Sequence, residues 1–298
     1  MPSEDELQTY RKVGKIAAEV REKIRPRVKP GEPLLDIAET VEKLIREKGA
    51  KPAFPCNISV NAIAAHYSPP AGDETKIEED DLVKVDIGAH LDGYIADTAF
   101  TVATGYKNVD MVESIERVLD EAIKAVKPGV GVGEIGAVVE EAAKAAGFKP
   151  VKNLTGHSLA RWNLHAGISI PNVKEESGQK IKKGDVLAIE PFITNGAGEV
   201  EDQTEVYIFR FLGPRPVQRR MSMGMLRDIG RLYGNLPFAE RWLAERTSKI
   251  RLQLTLRDLM NSGALHPYYV LKDREDGPVA QAEHTVIVTE EGCEVTTR

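Results

Sequence analysis

The residues best suited to chemistry are acids and a histidine placed where water should not reach. Asp86 lies inside Leu82-Val83-Lys84-Val85-Asp86-Ile87, and Glu190 inside Val186-Leu187-Ala188-Ile189-Glu190-Pro191-Phe192. A buried carboxylate is costly unless it is paired or bound to metal. A solvated helix face, the ordinary setting for an acid, does not account for either position. Asp97 in Ala96-Asp97-Thr98 and Glu283 in Ala282-Glu283-His284-Thr285 share this setting. His157, in Thr155-Gly156-His157-Ser158, adds a nitrogen donor beside a glycine that permits close approach. Four carboxylates and one imidazole suit divalent Mn, Fe, Co or Zn better than a thiolate zinc or a calcium cage would. Two such ions about 3.5–4 Å apart hold a bridging hydroxide and clamp both ends of a hydrolytic transition state. The sequence therefore predicts a two-metal hydrolase with Asp86, Asp97, His157, Glu190 and Glu283 as ligands.

A hairpin must present the first two of these. Asp92-Gly93 between apolar stretches is a strong turn signal. A two-residue loop pairs Leu91 with Tyr94 and sets Asp86 opposite Ala99, so that Asp97 shares a face with Asp86 as its diagonal neighbour. A four-residue loop would pair the two aspartates directly. An odd-length loop without a bulge would send them to opposite faces. Two facing carboxylates repel, and one would ordinarily take a proton; a divalent ion favours both ionised forms.

The elements behind the hairpin recur. Val28-Lys29-Pro30-Gly31 returns as Val126-Lys127-Pro128-Gly129, Ile37 as Ile135, and Gly49-Ala50-Lys51-Pro52 as Gly147-Phe148-Lys149-Pro150, all at one offset of 98 residues. In each copy a helix precedes the turn and a second follows it. Leu34, Ile37, Ala38, Val41, Leu44 and Ile45 mark the apolar face of one second helix, and Val132, Ile135, Val139, Ala142, Ala143 and Ala146 that of the other. With a slip to an offset of 104, Ile77–Gly88 resembles Ile181–Phe192, matching Asp81 to Asp185 and Asp86 to Glu190. Two similar α/β halves should face each other across an acidic seam, each half contributing a carboxylate from each of two strands.

Composition bounds the rest. The chain has 298 residues, 42% hydrophobic and 29% charged, enough for one large domain or a domain with an insert. No apolar run approaches the roughly 20 residues that cross a bilayer. The start, Met1-Pro2-Ser3-Glu4-Asp5-Glu6, lacks the basic and apolar regions of a signal peptide, which predicts a cytoplasmic location. Cys56 and Cys293 are too few and too far apart for a thiolate metal site, and are read as inert thiols. The net charge of -6 argues against nucleic-acid binding by the molecule as a whole.

These segments resemble the methionine aminopeptidases, which share the pita-bread fold with proline dipeptidases and creatinases. The likeness runs through Lys84–Gly88, Gly93–Asp97, Thr155–His157, Ile189–Phe192 and Gln281–Thr285, with all five ligand positions filled in order. The resemblance implies an α+β fold of two pseudo-symmetric halves. The long stretch between Glu190 and Glu283 is similar to the type 2 branch and implies a helical, winged-helix-like insert at 211–266, with 1–210 and 267–298 forming the catalytic domain. Helices are expected around Met221–Leu232, Phe238–Glu245 and Leu254–Met260. The short, non-basic N-terminus resembles archaeal members.

The resemblance also implies roles. Glu190 would shuttle a proton besides binding metal. His66 matches the catalytic histidine and would contact the scissile amide. His165 would steady the developing oxyanion. Phe54, Pro55, His284 and Tyr268 correspond to positions of the substrate pocket, Tyr268 with the weakest match. His90 and His266 are read as structural. The substrate would be the N-terminal methionine of peptides and nascent chains, and the enzyme a monomer. A proline-specific peptidase of the same fold is the nearest rival, opposed by residues 1–27 holding only one helix ahead of the first repeat. A binding module for RNA, ribosomes or histones that has lost its ligands is the other, opposed by the intact ligand set. The insert carries ten Lys or Arg against four acids between Arg215 and Asp258, which is either a solvated face or a contact with ribosomal RNA.

Overall fold

The computed structural model describes residues 2–217 and 219–298, and within them the sequence repeat becomes two α/β halves joined along a shared sheet. Helix α1 (Glu4–Ile24) opens on a capping box, in which the Ser3 backbone N–H donates to Glu6 Oε2 at 2.7 Å and the Glu6 N–H to Ser3 Oγ at 3.3 Å. Helix α2 (Leu34–Glu47) buries Leu34, Ile37, Ala38, Val41, Leu44 and Ile45, the stripe marked by the 3.6-residue period. Strands β1 (Lys51–Pro52), β2 (Asn57–Val60), β3 (Ile63–Ala65), β4 (Leu82–Leu91) and β5 (Tyr94–Ala103) complete the first half. The second half repeats the order with α3 (Val109–Ala125), α4 (Val132–Ala145), β6 (Lys149–Pro150), β7 (Thr155–Ser158), β8 (Ser169–Pro171), β9 (Val186–Ile189) and β10 (Phe192–Thr194).

The likeness between the halves extends to single hydrogen bonds. Gly31 N–H donates to Ile77 O at 2.8 Å, and Gly129 N–H to Ile181 O at 2.9 Å. Asp81 Oδ2 accepts from Glu78 N at 2.8 Å, and Asp185 Oδ2 from Lys182 N at 2.7 Å. These two matched aspartates therefore close the turns that launch β4 and β9, and they do not face the cavity.

Strand β11 (Val200–Phe211) leaves the second half and pairs with β13 (Leu265–Asp273); between them lie α5 (Arg220–Tyr233), β12 (Phe238–Ala239), α6 (Arg241–Ala244) and α7 (Lys249–Asn261). Leu226, Ile229, Phe238, Leu243, Leu252, Leu256 and Leu259 give this insert a core of its own. The helix expected over Phe238–Glu245 is shorter than that. Phe238 and Ala239 pair with Phe209 and Ile208 as a strand, and only Arg241–Ala244 is helical. Burial of Phe238 against β11 outweighs the local helical pattern.

The chain returns through β14 (Val279–Gln281), β15 (Glu283–Val288) and β16 (Cys293–Val295). The main sheet runs β1-β4-β5-β15-β9-β7-β8, with β2 also on β4 and β16 on β15. The β5–β15 pairing, Glu283 opposite Ala99 and His284 opposite Thr98, is the seam between the halves. Two apolar cores lie behind it, one under α1 and α2 and one under α3 and α4. Lys84 is buried at the foot of β4, where its Nζ donates to Asn61 O and Val279 O at 2.8 Å each and fastens β4 to the returning chain. Among the described residues no helix is long and apolar enough to cross a membrane.

Candidate active site

The β4–β5 hairpin has the two-residue loop. Leu91 pairs with Tyr94, Asp86 lies opposite Ala99, and Gly88 lies opposite Asp97. Asp92 and Gly93 have φ of 49° and 89°, the left-handed pair that a type I′ turn requires. Asp86 and Asp97 thus share one face of the sheet. Glu283 arrives beside Asp97 from β15 across the seam. A Thr285 hydroxyl fixes this junction: it accepts from Asp97 N and donates to Asp97 O, at 2.8 Å each. From the second half, β7 delivers His157 and the end of β9 delivers Glu190. Gly156 allows that approach, since a Cβ there would lie 2.5 Å from Ala188 O.

All five expected ligands line one cavity of about 240 Å³. Asp97, His157 and Glu283 each offer a ligand atom, all within 4.8 Å of one another. His157 Nε2 stands 3.4 Å from Glu190 Oε1 and 3.7 Å from Asp97 Oδ2. Asp86 Oδ1, Asp97 Oδ1 and Glu283 Oε1 are buried without a hydrogen-bond partner. Orphaned polar atoms of this kind need an explanation, and a bound divalent cation supplies one. Burial lifts the Asp86 carboxyl to about 7. Burial together with the neighbouring acids holds Asp97, Glu190 and Glu283 well above the carboxylate range. Burial also pushes His157 down to about 3 and His165 to about 4, leaving both neutral. Neutral imidazole and clustered hard oxygens fit divalent metal.

A pH prediction arises here. The metal-free carboxyls hold their protons above the ordinary carboxylate range, up to about pH 7 at Asp86, while metal needs them ionised. Affinity for manganese or cobalt should therefore rise with pH through this range, with protons released on binding. Calorimetric titration in buffers of different ionisation enthalpy reads that release directly; its absence below pH 7 would contradict the assignment.

His66, His165, Phe54 and Tyr268 line the same cavity. His66 has φ of 64°, an uncommon conformation for a non-glycine residue and one that costs roughly 1–3 kcal/mol. Its Nδ1 lies 3.0 Å from Tyr269 O. A carbonyl only accepts, so Nδ1 carries the proton and Nε2 is the bare nitrogen. The His165 ring sits 4.5 Å from the His157 ring, centroid to centroid.

Two expected pocket residues are elsewhere. His284 follows Glu283 on β15, and because side chains alternate along a strand it points to the opposite face. There it is 2% exposed, with Arg21 Nη1 at 3.0 Å and Thr297 Oγ1 at 2.8 Å. Pro55 is buried beside Phe54 but does not reach the cavity. Other residues take their places: Asn57, Leu164, Phe192, Ile208, Pro237 and Gln281 also line it. Asn57 Nδ2 donates to Asp86 Oδ2 at 3.3 Å, and Gln281 Nε2 to Glu190 Oε2 at 3.4 Å. Gln281 stands two residues from Glu283, and its spacing was the one signal that could have marked it. Ile208 and Pro237 lie on strand and insert segments that nothing local ties to a cavity.

The sequence matches the family described as metallopeptidase family M24 over residues 8–290. The chain belongs to that family. It is 47% identical over 296 residues to a methionine aminopeptidase of Methanothermobacter thermautotrophicus, covering 98% of both chains. It is 46% identical to that of Methanocaldococcus jannaschii, covering 98% of this chain and 100% of the relative. Among solved structures it is similar to a thermophilic Arx1, with TM-score 0.84 and 19% identity over 99% of this chain and 91% of that one. It is also similar to the methionine aminopeptidase of Thermotoga maritima, with TM-score 0.74 and 23% identity over 100% and 98% of the two chains. The two halves and their seam are thus the pita-bread fold, and as an M24 metallopeptidase the chain uses divalent metal.

Proposed function

We propose that this M24 metallopeptidase removes the N-terminal methionine from peptides and nascent chains. The observation that carries the reading is the meeting of Asp86, Asp97, His157, Glu190 and Glu283 in one small cavity whose other walls are Phe54, His66, His165 and Tyr268. The archaeal relatives above support the choice of methionine over an Xaa-Pro substrate.

The donor set suits two divalent ions, which when bound supply Lewis acidity and an activated water. The chain's own residues do the rest. A cavity of about 240 Å³ has room for one residue with its amino group, which would place the first peptide bond beside the donor set. Phe54, Leu164, Ile208 and Pro237 offer apolar walls to an unbranched thioether side chain. His66 Nε2, fixed as an acceptor by the Tyr269 carbonyl, takes a hydrogen bond from the scissile N–H. His165 hydrogen-bonds to the oxygen on which charge develops. Glu190 moves a proton from water to the leaving amine; Gln281 holds one of its oxygens and leaves Oε1 facing His157.

Metal-reconstituted protein should release methionine from Met-Ala-Ser and leave Xaa-Pro peptides intact; the reverse preference would overturn the reading. The remaining parts of the proposal are a monomeric enzyme working in the cytoplasm and an insert face that touches ribosomal RNA through Arg219, Arg220 and Arg227. All three arginines are exposed on or beside α5. Unchanged co-sedimentation with ribosomes after charge reversal at these positions would remove that contact.

A further inference from the structure

Behind the cavity, outside everything that faces substrate, lies a buried charged hub. Glu42 on α2 is 3% exposed and Arg241 on α6 is 7% exposed. The two form an ion pair between the first half and the insert. Glu42 also accepts from Trp242 Nε1 at 2.7 Å and from the Cys56 backbone N–H at 3.3 Å. Arg241 Nη1 donates to Ser68 Oγ at 2.5 Å and to Pro69 O at 3.2 Å. Ser68 Oγ in turn donates to Cys56 O at 2.8 Å.

Each strand of this network ends a few residues from a wall of the cavity. Cys56 lies between the lining residues Phe54 and Asn57, Ser68 is two residues past His66, and Arg241 is four residues past Pro237. Three walls from three separated stretches of chain therefore share one anchor. Two apolar side chains would fill this space at no loss of stability, since desolvating a charge pair costs about what the pair returns. Directional bonds between charged groups do what apolar packing does less well: they fix the walls at one separation.

We propose that Glu42 and Arg241 are positioning residues that set the width of the methionine pocket, so that the seating of the insert governs substrate selectivity. The inference rests on the methionine-removing function above. Neither residue touches substrate, and the hub acts by holding the Phe54 and Pro237 walls at the separation one thioether side chain fills.

Arg241→Met keeps the length of the side chain and removes its charge and donors. In this variant KM for Met-Ala-Ser should rise about tenfold while kcat falls less than about threefold, and preference for Met-Ala-Ser over Leu-Ala-Ser should shrink about tenfold. Metal content should match wild type, and the Kd for free methionine, read by calorimetry, should weaken in parallel with KM. Ser68→Ala, which removes one hydroxyl, is the milder companion and should shift KM and selectivity in the same direction by about two- to threefold. A folded, metal-loaded Arg241→Met protein with wild-type KM and selectivity overturns the inference. So does an unaltered Ser68→Ala protein if Arg241→Met does not fold. Wild-type protein that releases no methionine strikes the function itself, whereas wild-type release with unaltered variants strikes only the hub.

Discussion

Asp97→Asn should move the melting temperature in opposite directions with and without metal, while lowering kcat/KM by about three orders of magnitude or more. Burial and the nearby Asp86 charge raise the Asp97 carboxyl well above the carboxylate range in the metal-free protein. With the folded pKa above the unfolded one, the unfolded chain gives up its proton first. Metal-free protein therefore loses stability as pH climbs from the ordinary carboxylate range toward the raised value, and the asparagine variant is spared that loss. At neutral pH the metal-free variant should melt above metal-free wild type, and the difference should vanish once pH falls below about 4. With manganese or cobalt in excess the order inverts, because wild type gains the free energy of binding and the variant gains less of it. Scanning calorimetry on the two proteins, with and without metal, reads all four states. A variant less stable than wild type in both conditions would mean that Asp97 is a structural acid.

The second large effect belongs to His66. Asn tolerates the left-handed backbone better than most residues, so His66→Asn removes the imidazole without adding strain at φ 64°. This variant should retain near-normal metal content, since His66 is absent from the ligand group and its Nδ1 is engaged by Tyr269 O. Its kcat should fall by roughly 10²–10⁴, the usual worth of a positioned hydrogen-bonding or proton-transfer group. Elemental analysis beside steady-state kinetics separates the two quantities. Loss of metal with activity would place His66 among the ligands, and near-normal kcat would remove it from the reaction.

The two expectations also separate two tasks within one cavity. Acids from β4, β5 and β15 and the acid and imidazole from β9 and β7 create a charge problem that a bound divalent cation would resolve. His66, His165 and Tyr268 line the same cavity, with His66 and Tyr268 in edge contact at 5.4 Å. Beyond them the insert contributes Pro237, held in place by Arg241 and Glu42 from behind.

By itself the sequence determined the elements whose causes are local. The Asp92-Gly93 signal marked the hairpin, and the two-residue loop seen in the fold set its register, because side chains alternate with a period of two and one slip would have separated Asp86 from Asp97. The repeat at Val28–Gly31 and Val126–Gly129 determined that two like halves would meet, and acids inside apolar runs marked the seam where a cation would be needed. Only the tertiary structure decided which neighbours the seam collects. It sent His284 to the back of β15, paired with Arg21 and Thr297, because Glu283 already faced the cavity. It brought Ile208, Pro237 and Gln281 to the cavity wall. It also joined Glu42 to Arg241 across 199 positions of sequence. A partnership between distant residues leaves no periodicity, cap or turn for a linear reading to detect, since its cause is the docking of one packed element on another.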